Sequence, residues 1–360
     1  MKAPSPTDRA WVDVDLDALV ANARRLARAV ARPLVPMVKA NAYGAGAVPV
    51  ARALAALEPI AFGVATPEEA QELRRADIAQ PIITFSPLLP RWIPAVRAAQ
   101  VTPSIGDPQA QRAWIESGGG PYQLEIDTGM SRAGIRWDDA ASLAAVANAL
   151  DADCEGLYSH SHSSETDPAS VAVQHERLMT VAAALPRRPR HVHLANSAIA
   201  ITQPSLAGDL ARPGIFLYGG GAFGADGHVR PAAVSAVRAR VLGVRLIRAG
   251  GTVSYGATWT ARRDTRVATL GIGYADGVPR SLSNSGQVEL GGRVVPIVGR
   301  VTMDMTLVAL PDDLPIAPDD IATLFGGRIS LDAAAAAAGT ISYELLTSLG
   351  ARLPRRCTSG

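Results

Sequence analysis

The stretch Leu34-Val35-Pro36-Met37-Val38-Lys39-Ala40-Asn41-Ala42-Tyr43-Gly44-Ala45-Gly46 reads as an apolar strand that ends on a lysine and runs into a glycine-containing turn. Leu34–Val38 is the first of a series. Further β-rich runs occur at Ile60–Ala65, Pro81–Phe85, Val101–Ile105, Tyr122–Ile126, Cys154–Ser159, His191–Ala195 and Gly214–Leu217, which makes eight. Between them, Glu68–Arg75, Pro108–Glu116 and Ser170–Leu185 carry apolar residues at the three-and-four spacing of helices. Short strands alternating with helices are the pattern of parallel βαβ units. Eight repeats within about 220 residues predict an α/β fold, a (β/α)8 TIM-type barrel, whose active site gathers at the C-terminal ends of the strands. A lysine at the end of the first strand then projects into the barrel mouth.

From Ala232 onward the rhythm changes to closely spaced strand-like segments, Ala239–Ile247, Thr265–Gly271, Gln287–Leu290 and Arg293–Val298, with Gly250-Gly251 and Gly291-Gly292 as turns. Ser330 caps an alanine run that Gly339 closes, and a second short helix covers Tyr343–Leu349. The expected organisation is a barrel over 11–234 and a second, mostly β domain over 235–360, with residues 1–10 packing against the latter. Gly219, Gly221 and Gly224 match GxGxxG, but Asp226, Gly227 and Pro231 follow where a dinucleotide site needs a helix, so that reading is set aside.

Composition narrows the function classes. With 48% hydrophobic and 19% charged residues the chain is globular, and a formal charge of +2 with dispersed basic residues implies no nucleic-acid partner. Cys154 and Cys357 lie far apart without CxxC or His-rich spacing, so neither a disulfide framework nor a metal site is implied. Met1–Arg9 lacks the apolar core of a signal peptide, and no run reaches the length of a membrane helix. The expectation is a soluble, cytoplasmic protein with no membrane partner.

In a barrel mouth, desolvation lowers the pKa of a lysine such as Lys39 and frees its amine to form a Schiff base with an aldehyde. The plainer alternative is a lysine snorkelling from a strand end. Other motifs bear on the choice: Asp127-Thr128-Gly129-Met130-Ser131-Arg132, Asn196-Ser197, Ala211-Arg212-Pro213-Gly214-Ile215, Tyr255-Gly256, Gly273-Tyr274-Ala275-Asp276-Gly277, Gly299-Arg300-Val301-Thr302-Met303-Asp304 and Tyr343-Glu344. Together with the Lys39–Gly46 stretch, these seven motifs, in this order, resemble the alanine racemases, enzymes of pyridoxal 5'-phosphate (PLP).

The resemblance implies PLP on Lys39, its phosphate at Ser197, Gly214 and Ile215 beside Asn196, and phenolic donors from Tyr43 and Tyr343. Loops after strands seven and eight commonly hold phosphate in barrels; Ser197 alone reads equally as a helix N-cap. Arg212, which alone reads as an ion-pair residue, is placed by the resemblance at the ring nitrogen. An arginine there leaves that nitrogen unprotonated, weakens the electron sink and favours reprotonation at Cα over transamination. Racemisation needs a base on each face of Cα: the resemblance gives Lys39 to D-alanine and Tyr255 to L-alanine. A tyrosine, with a free pKa of about 10, needs positive charge or hydrogen bonds to serve. His160 is the matching histidine, though a lone strand histidine is more often structural. Arg132 and the Met303 N–H are implied as substrate-carboxylate contacts. The implied partner is a second copy, in a head-to-tail homodimer with shared active sites.

The sequence departs from the family pattern in two places. Glu125 stands where many members carry a lysine, often carbamylated, and Ser159-His160-Ser161-His162-Ser163 is more polar than the usual stretch. The alternatives to alanine racemisation are a racemase for another small amino acid such as serine, and a non-catalytic PLP-binding barrel protein, against which Tyr255 and the β domain argue. A basic amino-acid decarboxylase is a third, disfavoured by the Tyr255-Gly256 and Met303-Asp304 matches.

Overall fold

In the computed structural model, which describes residues 5, 7–221 and 229–358, β1 (Ala10–Asp15) runs straight into α1 (Leu16–Val30). Asp15 makes the junction abrupt: its backbone is extended while its carboxylate accepts the N–H of Ala18. β2 (Phe62–Val64), β3 (Ile82–Pro87), β4 (Thr102–Ile105), β5 (Tyr122–Asp127), β6 (Cys154–Tyr158) and β7 (His191–His193) are parallel neighbours in that order. All six residues of β5 are buried, as a strand covered on both faces requires.

Single bridges close the ring: Met37 to Gly63 on one side, Ala195 to Ala211 on the other, and Leu34 to Ala211 across the seam. The barrel expected from the sequence is therefore present, but two of its strands differ from the reading. Leu34–Val38 makes only a single bridge at Leu34 and another at Met37, because Pro33 and Pro36 have no N–H to give a ladder. Gly214–Leu217 is not a strand. It is a buried turn, with Leu217 N–H on Gly214 and Tyr218 N–H on Ile215, and Ala211 takes the eighth position instead. An apolar run of four marks burial and cannot distinguish a strand from a packed turn.

The helices between the strands begin where the sequence places caps. α2 (Pro67–Arg75), α3 (Pro108–Glu116) and α4 (Pro168–Ala184) each start with a proline after a capping side chain, from Thr66, Asp107 and Asp167 respectively. The short α5 (Ser197–Thr202) is capped by Asn196, whose side chain accepts from Ile199; Ser197 is its first residue and not its cap.

The second sheet is built on the 13-residue β8 (Ser235–Ile247). Around it lie β9 (Thr265–Leu270), β10 (Gln287–Leu290), β11 (Arg293–Pro296), β12 (Thr306–Leu310) and β13 (Ile321–Phe325), followed by α6 (Leu331–Ala337), α7 (Ser342–Thr347) and β14 (Arg355–Thr358). The order is β11-β10-β13-β8-β1-β14, with β9 also on β8 and β12 on β9. Residues 10–15, near the start of the stretch read as barrel, thus pair with β8 and β14 in this sheet. Gly291 and Gly292, at φ +58° and +75°, close the β10–β11 hairpin. In the glycine pattern set aside above, Gly219 and Gly221 have positive φ, whereas Gly224 lies outside the described residues.

Candidate active site

Lys39 leaves the first barrel segment and enters an unusual piece of backbone. Ala40, Asn41, Ala42 and Tyr43 all have φ between +52° and +54°, one turn of left-handed helix. For non-glycine residues this conformation costs roughly 1–2 kcal/mol each, so surrounding contacts must hold it. Asn41 accepts from Ala47 N–H, Gly44 accepts from the Arg355 guanidinium, and Tyr43 stacks on Tyr218 at 4.6 Å. The amine of Lys39 is held below the ordinary lysine range by burial first, then by the guanidinium groups of Arg132 and Arg212, while Glu69 pulls the other way.

Strand register builds the floor of the mouth. Glu125 on β5 pairs with Tyr158 on β6, which pairs with His193 on β7. Their side chains share one face. Tyr158 stacks on His193 and meets Phe85 edge-on, and the Arg212 guanidinium lies 5.2 Å above the Tyr158 ring. Arg212 is buried and spends Nη1 on His193 Nδ1 and the His193 carbonyl, and Nη2 on the carbonyls of Ser159 and Leu194. None of its bonds among the described residues uses Nε. Burial lowers Arg212 to about 10, so it stays charged at neutral pH. His193 is driven well below its ordinary value by burial and then Arg212, and is neutral.

His160 is driven to about 3 by burial and then by Arg212, Arg132 and Lys39. The sequence left two ways for it to act on a tyrosine, charge or hydrogen bonding; a neutral imidazole leaves only the second. Glu125 is raised by burial against the opposing pull of the Tyr158 hydroxyl, Arg132 and Arg212. Its Oε2 and the Tyr158 hydroxyl both lack a well-aligned hydrogen-bond partner, although each lies near enough to shift the other's titration. No hydrogen bond or ion pair joins Glu125 to Arg132 among the described residues, so any hold on that arginine acts through charge.

These groups surround a cavity of about 520 Å³ whose walls include Lys39, Tyr43, Arg132, His160, Asn196, Ser197, Arg212, Gly214, Ile215 and Tyr343. At one end Ser197 Oγ accepts the N–H of Gly214 at 2.9 Å, and the Tyr43 hydroxyl descends so closely that a Cβ on Gly214 would sit 2.1 Å from it. Burial raises both Tyr43 and Tyr343, so both phenols keep their protons, and Tyr343 donates its own in a hydrogen bond to Glu165 at 3.1 Å. A corner holding the Ser197 and Tyr43 hydroxyls, an amine with lowered proton affinity and a guanidinium with a spare N–H fit PLP: phosphate, aldehyde and ring nitrogen each meet a complementary group.

Two expected site residues are elsewhere. Tyr255 and Met303 do not line this cavity. Tyr255 is 72% exposed and stands on a knuckle in which Ser254, Gly256 and Ala257 all have positive φ and Ser254 Oγ donates to the Arg300 carbonyl. Met303 is 53% exposed. Its loop is clamped from behind by Tyr274 N–H on Thr302 and Ala275 N–H on Met303, and its own N–H donates to no described residue. Sequence reasoning missed Phe85, Tyr158 and His193, whose alignment depends on register. It also missed Glu69, for which Thr66-Pro67-Glu68-Glu69 was a readable capping-box signal.

Residues 14–221 match the family described as alanine racemase, N-terminal domain, and residues 234–357 its C-terminal domain. The chain is 40% identical to the alanine racemase of Acidiphilium cryptum over 349 residues, covering 95% of this chain and 97% of that protein. It is likewise 40% identical to that of Salinispora arenicola, covering 96% and 98%. Among solved structures, alanine racemase from D-cycloserine-producing Streptomyces lavendulae matches with a TM-score of 0.88 at 32% identity, over 99% of this chain and 98% of that one. Alanine racemase from Bartonella henselae, with covalently bound pyridoxal phosphate, matches at 0.89 and 32%, over 99% and 100%.

Proposed function

The chain belongs to the alanine racemase family of PLP-dependent isomerases, and on that premise we propose that it interconverts L- and D-alanine with Lys39 and Tyr255 as the two bases. The observation that carries the reading is the convergence on one cavity of Lys39, Arg132, Arg212 and the donor corner of Tyr43, Ser197 and Gly214. PLP, when bound, supplies the electron-withdrawing ring that makes the Cα proton of an amino acid removable. Lys39 would hold its aldehyde carbon. Ser197, Gly214, Ile215, Tyr43 and Tyr343 would hold its phosphate beside Asn196, and the free Nε of Arg212 its ring nitrogen.

Within this reading Lys39 takes and returns the Cα proton of D-alanine, and Tyr255 that of L-alanine. Arg132, without a bond to any described residue, and the unused N–H of Met303 hold the substrate carboxylate. His160, neutral, orients the tyrosine by hydrogen bonding. We further propose a homodimer in which Tyr255 and Met303 serve the partner's cavity. Exposed Tyr255, Tyr274, Met303 and Met305 support it as large apolar side chains left open to solvent. The proposed setting is the cytoplasm. Both cysteines are free, as a reducing compartment would leave them, and among the described residues no helix is long and apolar enough to cross a membrane.

The direct test is a racemisation assay with PLP and a panel of L-amino acids, read by chiral chromatography. L-Alanine is expected to turn over fastest, with L-serine at least about tenfold behind in kcat/KM; a pocket fitted to a methyl gains no contact from a hydroxyl. Faster turnover of serine would make it a racemase of a different small amino acid. Glu125 gives a second check. As a fixed negative charge or dipole behind Arg132 it needs no carbon dioxide, so activity is expected to be independent of added bicarbonate. Glu125→Ala is expected to raise the KM for alanine several-fold, about 3–10-fold, with kcat changed less. An unchanged KM would reduce Glu125 to a packing residue of β5.

A further inference from the structure

We propose that Glu69 is a positioning residue for Lys39: its carboxylate ties the left-handed turn at 40–43 to the end of β2 and so fixes the lysine over the cavity. The pairing between the first barrel segment and β2, a single bridge from Met37 to Gly63, ends where Val38 N–H meets the Gly63 carbonyl at 2.8 Å. Beyond that point neither chain offers the other an acceptor. Glu69, in the first turn of α2, supplies it. Oε1 accepts Ala40 N–H and Oε2 accepts Ala65 N–H, each at 2.7 Å.

The distances decide which of two roles dominates. Glu69 also completes a capping box with Thr66, but both of those bonds are 3.4 Å long, against 2.7 Å for the two that span the barrel mouth. Charge-assisted bonds to a carboxylate weaken as they lengthen, so the clamp outweighs the cap. It grips the residue next to Lys39, at the start of four residues whose φ of about +52° must be imposed from outside. The same carboxylate is the acidic group that opposes Arg132 and Arg212 at the lysine amine. Glu69→Gln keeps the shape of the side chain but replaces one acceptor with an NH2, setting donor against donor at Ala40 or Ala65.

This inference rests on Lys39 as the cofactor lysine and the base for D-alanine, and the test separates the two. Apoprotein is mixed with PLP, samples are fixed with borohydride over time, and the pyridoxyl mass increment at residue 39 is followed. Glu69→Gln is expected to slow this uptake about tenfold, since misplacing a reacting group by a fraction of an ångström costs that much. It is also expected to raise the primary isotope effect with α-deuterated D-alanine and not with L-alanine. Enantiomers have equal free energies, so kcat/KM cannot differ between directions, and the isotope effect alone shows which base has been slowed.

Thr66→Ala, which breaks the cap and spares the clamp, should lower Tm while leaving uptake and both isotope effects unchanged. Equal slowing in Thr66→Ala, or wild-type behaviour in Glu69→Gln, would overturn the clamp. Should Glu69→Gln fail to fold, hydrogen exchange on the wild-type apoprotein decides: protected Ala40 and Ala65 amides support it, and loop-like exchange at both overturns it. Absence of any label on wild-type Lys39 would instead overturn the cofactor assignment beneath it.

Discussion

Lys39→Ala is expected to leave racemisation at least about 10⁴-fold below wild type, the largest loss any single side chain of this protein should cause. On the proposed assignment two functions disappear together: the covalent tether of the cofactor and the base for D-alanine. The donor corner around Tyr43, Ser197 and Gly214 does not depend on the lysine side chain, so the variant should still take up PLP without a bond to it. Lys39 is one of only two lysines in the chain, the other being Lys2, which makes the chemical readout clean. Borohydride treatment followed by peptide mass mapping should show a pyridoxyl group on residue 39 of the wild type and none in the variant. A borohydride-fixed adduct persisting in Lys39→Ala would move the assignment to another amine. Retained activity would remove Lys39 from the chemistry altogether.

Whether a segment could be read in advance depended on whether its signal was local. Pro108–Glu116 and Gln287–Leu290 have in the structure the bounds read for them, because Asp107, Pro108 and the Gly291-Gly292 pair state where a helix starts and a hairpin turns. Lys39 and Ser197 could be singled out because each follows a segment read as a strand and sits in a family motif, whereas Arg212 was singled out by its motif alone. What escaped was set by register or by distance along the chain. β1 went unread because its partners, β8 and β14, begin more than 200 residues away. Tyr158 and His193 looked like ordinary strand residues until pairing set them beside Glu125 and beneath Arg212. The left-handed turn after Lys39 was hidden for the opposite reason, since only one of its next five residues is a glycine and nothing local announces positive φ at Ala40.

Mixing two inactive variants should restore activity, and this outcome tests the proposed dimer more sharply than a measurement of size. Lys39→Ala lacks the proposed cofactor lysine; Tyr255→Phe lacks the proposed base for L-alanine. In the proposed two-fold dimer each site takes Lys39 from one chain and Tyr255 from the other, so a mixed dimer holds one doubly damaged site and one intact site. With free exchange half the dimers are mixed, and half the sites in those are intact, so about a quarter of wild-type activity should return. Were both residues drawn from one chain, no site in the mixture would be whole. The geometry favours the first case: Tyr255 is largely exposed on a knuckle of positive φ, does not line the cavity that holds Lys39, and follows Ser254, whose hydroxyl is bonded to Arg300 three residues before the exposed Met303. Strain of this kind persists where the fold imposes it, and here it presents the tyrosine outward. Native mass spectrometry of the mixture supplies the control. Complete subunit exchange with no recovered activity would rule out the shared site, and Tyr255 would then need another role, while Lys39 and its cavity would keep theirs.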